Sequence, residues 1–557
     1  MSNPTHRNGG RILVDQLIAQ GVERLTCVPG ESYLAVLDAL HDTDIDVLVC
    51  RAEGGAAMMA ESYGKLTGRP GICFVTRGPG ATNASPGVHI AAHDSTPMIL
   101  FIGQVERGMR ERGAFQEVDY KQFFGGMAKW VVEIDEVERI PELVARAFRV
   151  AMQGRPGPVV VSLPEDVLLE RADVSDAPRV EPAEIWPGSP DIKRMHDLLH
   201  EAKNPLVIVG GSRWTSEARN ALVSWSERLE LPIATSFRRA PLFPADHPNY
   251  VGDVGIGPNP KLAARVKNAD LLILIGSRMS EMPSSSYTLI DIPTPRQKLV
   301  QVHPDDQELG RVYVPTLAIQ ASPVAFCAML ASSNSAGEAS RPTTALAHRE
   351  YLEWSEKPAA TPGDFQYGDA MVWLRDHLPE DAIICNGAGN YSAWIHRYYR
   401  FRSFATQLAP TSGSMGYGVP AAVLAKRQHP DRVAVALAGD GDFLMNGQEF
   451  ATAVQYDIPV IVIVVDNSMY GTIRMHQERE FPGRVSATLL KNPDYAAVAR
   501  DYGGYGERVE RTEDFAPAFQ RALESKRPSI LHCILDPQAI TPTMTLDEIR
   551  ERALATT

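Results

Sequence analysis

The chain reads as an α/β protein of three doubly wound parallel-sheet domains, on three observations. Short apolar and β-branched runs alternate with segments of helical spacing along most of its 557 residues. The runs are continuously apolar rather than alternating, as expected of strands buried on both faces. Two polar stretches, Ala172 to Asp191 and about Ser332 to Asp364, divide the alternation into three. The expected domains are 1–175, 190–335 and 362–545.

In order, Arg11 to Gln20 has the spacing of an amphipathic helix. Strands are expected at Leu25–Val28, Val47–Cys50, Gly71–Thr76, Met98–Gly103 and Pro158–Leu163. They run into Pro29-Gly30-Glu31, Arg51-Ala52-Glu53-Gly54-Gly55 and Arg77-Gly-Pro-Gly-Ala-Thr-Asn83. Ala56 to Thr67 is rich in small residues and so can pack closely as a helix. The middle third predicts strands at Leu206–Val209, Ile233–Thr235, Leu271–Ile275 and Leu299–Val302, with turns at Gly210-Gly211-Ser212 and Gly276-Ser277-Arg278. The last third holds a βαβ unit: a strand Val433–Ala438, a helix from about Asn446 to Tyr456, and a strand Val460–Val465. Beyond Thr541 the chain reads as a surface extension. Residues 155–164 and 527–537 echo each other, each placing a strand after a helix with Pro near both ends.

A net charge of −13 argues against nucleic acid or an anionic membrane as the main partner. Six cysteines without CxxC pairing point to a reducing compartment. The first ten residues lack an apolar signal core, and the run Ile458–Val465 is far too short to span a membrane. A cytoplasmic protein is expected.

The chemistry concentrates where the βαβ strands end. The strands end in Gly439-Asp440-Gly441-Asp442 and Asp466-Asn467. Parallel strands lie about 4.8 Å apart, so their carboxyl ends place Asp440 and Asn467 side by side, at the edge where open α/β sheets bind ligands. The glycines let a ligand approach backbone N–H groups, and the following helix offers its N-terminus to an anion. A carboxylate and an amide oxygen are hard ligands suited to Mg²⁺, which bridges protein oxygens and phosphates. The bland alternative is a tight turn with a helix-capping Asp.

Gly-Asp-Gly followed by Asn 27 residues after the Asp resembles the signature of thiamine-diphosphate (ThDP) enzymes. The wider segment is similar to the acetolactate synthase (acetohydroxyacid synthase) branch of the pyruvate oxidase and decarboxylase superfamily. The resemblance implies Mg²⁺ held by Asp440, Asn467 and the Met469 carbonyl, with Gly439, Gly441, Asp442, Tyr470 and Gly471 around the cofactor. It makes Glu53 the carboxylate that shifts a proton on the aminopyrimidine, in place of a surface glutamate at a helix start. Gly413 and Met415 match the loop that supports the bent cofactor. Gly389-Asn390-Tyr391 stands where a diphosphate loop usually reads Gly-Gln-His; amide and hydroxyl can also donate to phosphate. Phe115 and Gln116 match residues facing the thiazolium.

Three departures bear on the substrate. Glu31 stands where the synthases read Gly, and is expected to be a second active-site carboxylate, against the alternative of an acid favoured by a helix dipole. Thr472 and His476 replace the usual Met and Trp of the acceptor pocket. The central domain resembles the one that carries FAD in the synthases, yet Met279-Ser280-Glu281-Met282 departs from their pattern, so FAD is the lesser option. The implied activity is decarboxylation of a pyruvate-like 2-oxo acid with carboligation to a carbonyl acceptor. The alternatives are another ThDP reaction (decarboxylase, aldehyde lyase or C–C hydrolase) or an inactive cofactor-binding subunit. A homodimer or homotetramer is implied, with active sites at subunit interfaces.

Overall fold

The structure, a computed structural model, describes residues 6–332 and 341–556. Three six-stranded sheets form three domains, and every pairing within the sheets is parallel. The N-terminal sheet contains β1 (Arg24–Cys27), β2 (Asp46–Val49), β3 (Gly71–Val75), β4 (Met98–Gln104), β5 (Trp130–Glu133) and β6 (Pro158–Pro164), in the order β2-β1-β3-β4-β6-β5. The central sheet contains β7 (Pro205–Val209), β8 (Ile233–Ser236), β9 (Tyr250–Val254), β10 (Leu271–Ile275), β11 (Lys298–His303) and β12 (Leu317–Gln320), in the order β9-β8-β7-β10-β11-β12. The C-terminal sheet contains β13 (Ile383–Asn386), β14 (Gln407–Leu408), β15 (Ala434–Gly439), β16 (Ile461–Asp466), β17 (Tyr505–Val509) and β18 (Ser529–Ile534), in the order β14-β13-β15-β16-β18-β17.

The first and third sheets therefore share one strand order. The echo between residues 155–164 and 527–537 falls on β6 and β18, which occupy the same place in each sheet. The central sheet has a different order.

The chain packs as two compact units. One comprises Met1–Ala183, Pro410–His429 and Leu444–Ile458; the other comprises Glu184–Ala409, Pro430–Phe443 and Pro459–Thr557. In the first unit, helix α1 (Glu53–Thr67) packs on α2 (Gly418–Gln428), and α2 packs on α4 (Glu449–Gln455). Small residues permit the close packing of α1: a Cβ on Gly64 would lie 2.2 Å from the Pro97 carbonyl oxygen. In the second unit the two glycine turns of the central sheet close on each other, a Cβ on Gly211 meeting the Gly276 carbonyl at 2.2 Å.

Four readings change. The segment after β15 forms two short helices, α3 (Asp440–Asn446) and α4, divided at Gly447-Gln448, instead of one helix from Asn446. The second linker contains a helix, Pro342–Ser355, while its residues 333–340 lie outside the described residues. The tail is docked: Leu546 and Ile549 cluster with Met469 and Ile540, and Arg550 grips Glu478 at 2.8 and 2.6 Å. Strands β5, β9, β12, β13, β14 and β17 escaped the periodicity. Edge strands β5 and β17 carry half-exposed positions, and β14 has only two residues, so none of the three offers an uninterrupted apolar run.

Candidate active site

The carboxyl edge of the N-terminal sheet collects polar groups from successive strands. Glu53 opens α1 shortly after β2, Glu31 follows β1, Arg77 follows β3 and Glu165 follows β6. Asn83 donates its amide to Glu53 Oε2 at 3.2 Å. Gly80 lies against the same carboxylate, since a Cβ there would be 3.4 Å from Glu53 Oε1. Glu31 accepts from Arg77 Nη2 at 2.9 Å, and Arg77 Nη1 donates to Glu165 Oε2 at 3.3 Å. Burial pushes the Glu165 carboxyl above its ordinary value, against the pull of Arg77. A guanidinium thus joins two carboxylates along the same edge as Glu53.

The Phe115-Gln116 loop meets the same edge. Gln116 has φ +65° and sits on Gly78, where a Cβ would approach Gln116 Cβ to 2.7 Å. The Gly78 N–H donates to the Tyr120 hydroxyl at 2.9 Å. Phe115 is 73% exposed, a large apolar side chain left uncovered in a single chain. The loop bearing Gly413 and Met415 belongs to this unit as well: Thr411 N–H donates to Asp94 Oδ1 at 2.8 Å, and Asn446 Nδ2 donates to the Gly416 carbonyl at 3.1 Å. Gly413 and Gly416 adopt φ +70° and +77°, which side chains rarely tolerate.

The second unit presents the other carboxyl edge. Pairing of β15 with β16 sets Gly439 against Val465, so Asp440 and Asp466 emerge together. Asp440 is buried, and its Oδ2 accepts from Met469 N–H at 3.1 Å and from Asn492 Nδ2 at 2.7 Å. Asn492 also donates to Asp466 Oδ1 at 2.9 Å, and His532 Nε2 lies 2.9 Å from Asp466 Oδ2. Burial, with Asp466 beside it, holds the Asp440 carboxyl above its usual range. Burial acts on Asp466 in the same sense, but His532, Ser468 N–H and Asn492 outweigh it and hold that carboxyl low. Asn467 lies against Gly471, where a Cβ would stand 3.1 Å from Asn467 Nδ2. A buried carboxylate crowded by a second one, with Met469 bonded to it, suits a hard divalent cation.

Asp442 laces the neighbouring loop to the motif. Its Oδ2 accepts from the Tyr391 hydroxyl at 2.8 Å and its Oδ1 from Ala388 N–H at 3.4 Å. Gly387 is required there, because a Cβ would fall 2.2 Å from Asp442 Oδ1. Gly389 and Gly439 admit the Tyr391 ring, which a Cβ on either would approach to 2.8 and 3.1 Å respectively. Gly441 admits the Tyr470 ring in the same way, at 2.6 Å. Asn390 donates to the Ile540 carbonyl at 3.0 Å and accepts from Thr472 Oγ1 at 2.9 Å. Two of the departures noted in the sequence, Asn390 and Thr472, are therefore bonded to each other.

Each unit gathers its own set of the expected residues. Glu31, Glu53, Phe115, Gln116, Gly413 and Met415 belong to the first; Gly389, Asn390, Tyr391, Gly439, Asp440, Gly441, Asp442, Asn467, Met469, Tyr470 and Gly471 belong to the second. Sequence reasoning missed Asn83, Asn492 and the Arg77 partner of Glu31. Asn492 has no local signal, since it reaches Asp440 only through the fold. Asp466, ending β16 immediately before Asn467, could have been flagged from its position.

Comparison with known proteins divides the chain into three. Residues 7–123 match the thiamine pyrophosphate enzyme N-terminal TPP binding domain, 192–330 the central domain, and 387–533 the C-terminal TPP binding domain. The acetolactate synthase isozyme 2 large subunit of Escherichia coli (strain K12) is 30% identical, over 95% of this chain and 96% of that protein. A probable acetolactate synthase large subunit of Methanocaldococcus jannaschii is 31% identical, over 96% of this chain and 93% of that protein. The acetolactate synthase large subunit of Parasynechococcus marenigrum (strain WH8102) is 31% identical, over 95% and 87%. The chain therefore belongs to the thiamine pyrophosphate enzymes, on the acetolactate synthase branch.

Proposed function

We propose that this enzyme uses ThDP and Mg²⁺ to decarboxylate a pyruvate-like 2-oxo acid and join the remaining acyl unit to a carbonyl acceptor. The observation that carries the reading is the pair of carboxyl edges. One offers Glu53, steered by Asn83; the other offers a buried Asp440 beside Asp466, among glycines that admit the Tyr391 and Tyr470 rings. In this reading Asp440, Asn467 and the Met469 carbonyl hold Mg²⁺. Gly389, Gly439, Gly441, Asp442, Tyr470 and Gly471 frame the diphosphate. Asn390 and the Tyr391 hydroxyl, being engaged with Ile540, Thr472 and Asp442, shape the loop around it.

When bound, ThDP supplies a nucleophilic carbon and an electron sink for the decarboxylation. Glu53 holds or passes a proton at its own carboxylate oxygens, a role typically worth about 10²–10⁴ in rate. Gly413 and Met415 support the cofactor, and Phe115 and Gln116 border the reacting carbon. Glu31, clamped by Arg77, accepts a hydrogen bond from substrate and is the second catalytic carboxylate. The exposed Phe115 supports completion of each site by a second copy of the chain, in a homodimer or homotetramer. FAD stays the lesser option, because Met279-Ser280-Glu281-Met282 departs from the synthase pattern. All six cysteines are buried and free, which supports a reducing, cytoplasmic setting. Among the described residues no helix is long and apolar enough to cross a membrane.

A product screen on the purified protein tests this function. With ThDP, Mg²⁺ and pyruvate the expected product is acetolactate; acetaldehyde alone would establish a decarboxylase instead, and no turnover across a panel of 2-oxo acids an inactive subunit. Glu31, Thr472 and His476 depart from the synthase pattern and leave the acceptor open, so the screen also includes aldehydes.

A further inference from the structure

Helix α1 carries Glu53 as its first residue, yet it starts without a cap of its own. Ala52 occupies the N-cap position in extended conformation (φ −146°, ψ 146°) and has no side chain to accept a hydrogen bond. The backbone N–H groups at a helix start need partners. The two just before the helix, on Arg51 and Ala52, find one nearly 400 residues along the chain. Glu449 Oε1 accepts from Ala52 N–H at 2.9 Å and from Arg51 N–H at 3.1 Å, and its Oε2 accepts from Arg51 N–H at 3.2 Å and from Thr452 Oγ1 at 2.7 Å. The approach is tight enough that a Cβ on Gly55 would fall 2.6 Å from Glu449 Cγ.

Glu449 is fully buried, and burial pushes its carboxyl above the ordinary value. A buried carboxylate is costly to keep unless its hydrogen bonds are satisfied. Three of the four bonds go to the two residues immediately before Glu53, and the fourth to Thr452. The same stretch provides a second tie: Asn446 donates to the Gly416 carbonyl at 3.1 Å, one residue past Met415.

We infer that Glu449 is a positioning residue for Glu53. It fixes the backbone at Arg51 and Ala52, and so sets where the Glu53 carboxylate stands. The inference rests on the proposed role of Glu53, and its failure is separable from the failure of that role. Because Glu449 acts through Glu53, its loss lowers turnover without weakening cofactor binding, and its effect disappears when Glu53 is already disabled.

The test compares Glu449→Ala, Glu449→Gln, Glu53→Gln and the double variant Glu53→Gln/Glu449→Ala in the full-length protein with ThDP and Mg²⁺. Turnover is read as CO₂ release from labelled 2-oxo acid, ThDP affinity by fluorescence titration, and folding by thermal melting. Displacing a reacting group by about 1 Å can cost about 10²-fold, so Glu449→Ala is expected to lower kcat by about that factor, with KM and the ThDP Kd changed by less than about threefold. Glu449→Gln, which keeps one acceptor oxygen for Ala52 and Arg51, recovers most of the loss. In the Glu53→Gln background, Glu449→Ala produces no further fall. If Glu449→Ala does not fold, Glu449→Asp, with its oxygens withdrawn by one methylene, enters the same comparison. Unchanged kcat, or an equal fractional fall in both backgrounds, overturns the inference. Full activity of Glu53→Gln would instead overturn the role assigned to Glu53.

Discussion

The N-terminal and C-terminal sheets have the same strand order and opposite chemistry at the same edge. At the first, the groups stand apart: Glu53 with the Asn83 amide, and Glu31 with Arg77, which also reaches Glu165. At the second, two aspartates are buried together and share Asn492. Topology supplies an edge where loops converge; in the proposed function the residue types make one edge move a proton and the other hold a cation. The first edge leaves a carboxylate accessible, as proton transfer requires. The second crowds two carboxylates: His532, Ser468 N–H and Asn492 relieve Asp466, while in the proposed function a bound cation would relieve Asp440.

Breaking each edge should have different consequences. Glu53→Gln should lower turnover by about 10²–10⁴ while ThDP binding survives, measured by steady-state rates beside a ThDP titration. At the other edge, Asn492→Ala releases a group that orients Asp440 and should weaken Mg²⁺-dependent ThDP binding by about 10–100-fold, measured by titrating Mg²⁺ at fixed ThDP. If Asn492→Ala lowered turnover at saturating Mg²⁺ and left the Mg²⁺ requirement unchanged, the division of labour between the edges would be wrong.

A pH experiment separates the docked tail from both edges. Glu478 is held down at about 2, first by Arg550, with Gly483 N–H and Arg474 adding to the effect. Its depressed value means the stabilisation is fully present above the ordinary carboxylate value of 4.5 and is lost as pH falls through about 2. Arg550→Ala should therefore cost about 1.5–3 kcal/mol at neutral pH, and the gap to the wild type should close on acidification. Chemical denaturation at several pH values checks it; a gap independent of pH would mean the tail is held by its apolar residues alone.

The smallest expected effect concerns the substrate. Thr472→Val removes the donor to Asn390 and should change the ratio of carboligation products, or KM for the acceptor, several-fold, since one such hydrogen bond is worth about 0.5–1.5 kcal/mol. Product ratios measured with mixed acceptors would show it. An unchanged ratio would make the Asn390–Thr472 bond a matter of loop packing.

Much of the fold was legible because strands buried on both faces are continuously apolar, as in Leu271–Ile275 and Ile461–Asp466. What stayed hidden were edges and short strands, such as Trp130–Glu133, where solvent on one side breaks the pattern. At the site, Gly439-Asp440-Gly441 and Asn467 were readable since backbone freedom and hard ligands are local properties of residue type. Glu53 was readable from its place after a strand, with the family resemblance behind it.

Partnership was decided by tertiary structure. Nothing in the sequence near Glu53 names Asn83 or Glu449 as its supports, and nothing near Asp440 names Asn492. Each lies in another element, and a hydrogen bond depends on distance in space. The sequence by itself determined which strand ends carry carboxylates and glycines. The packed sheets and helices decided which of those carboxylates is buried, which is steered, and which holds another in place.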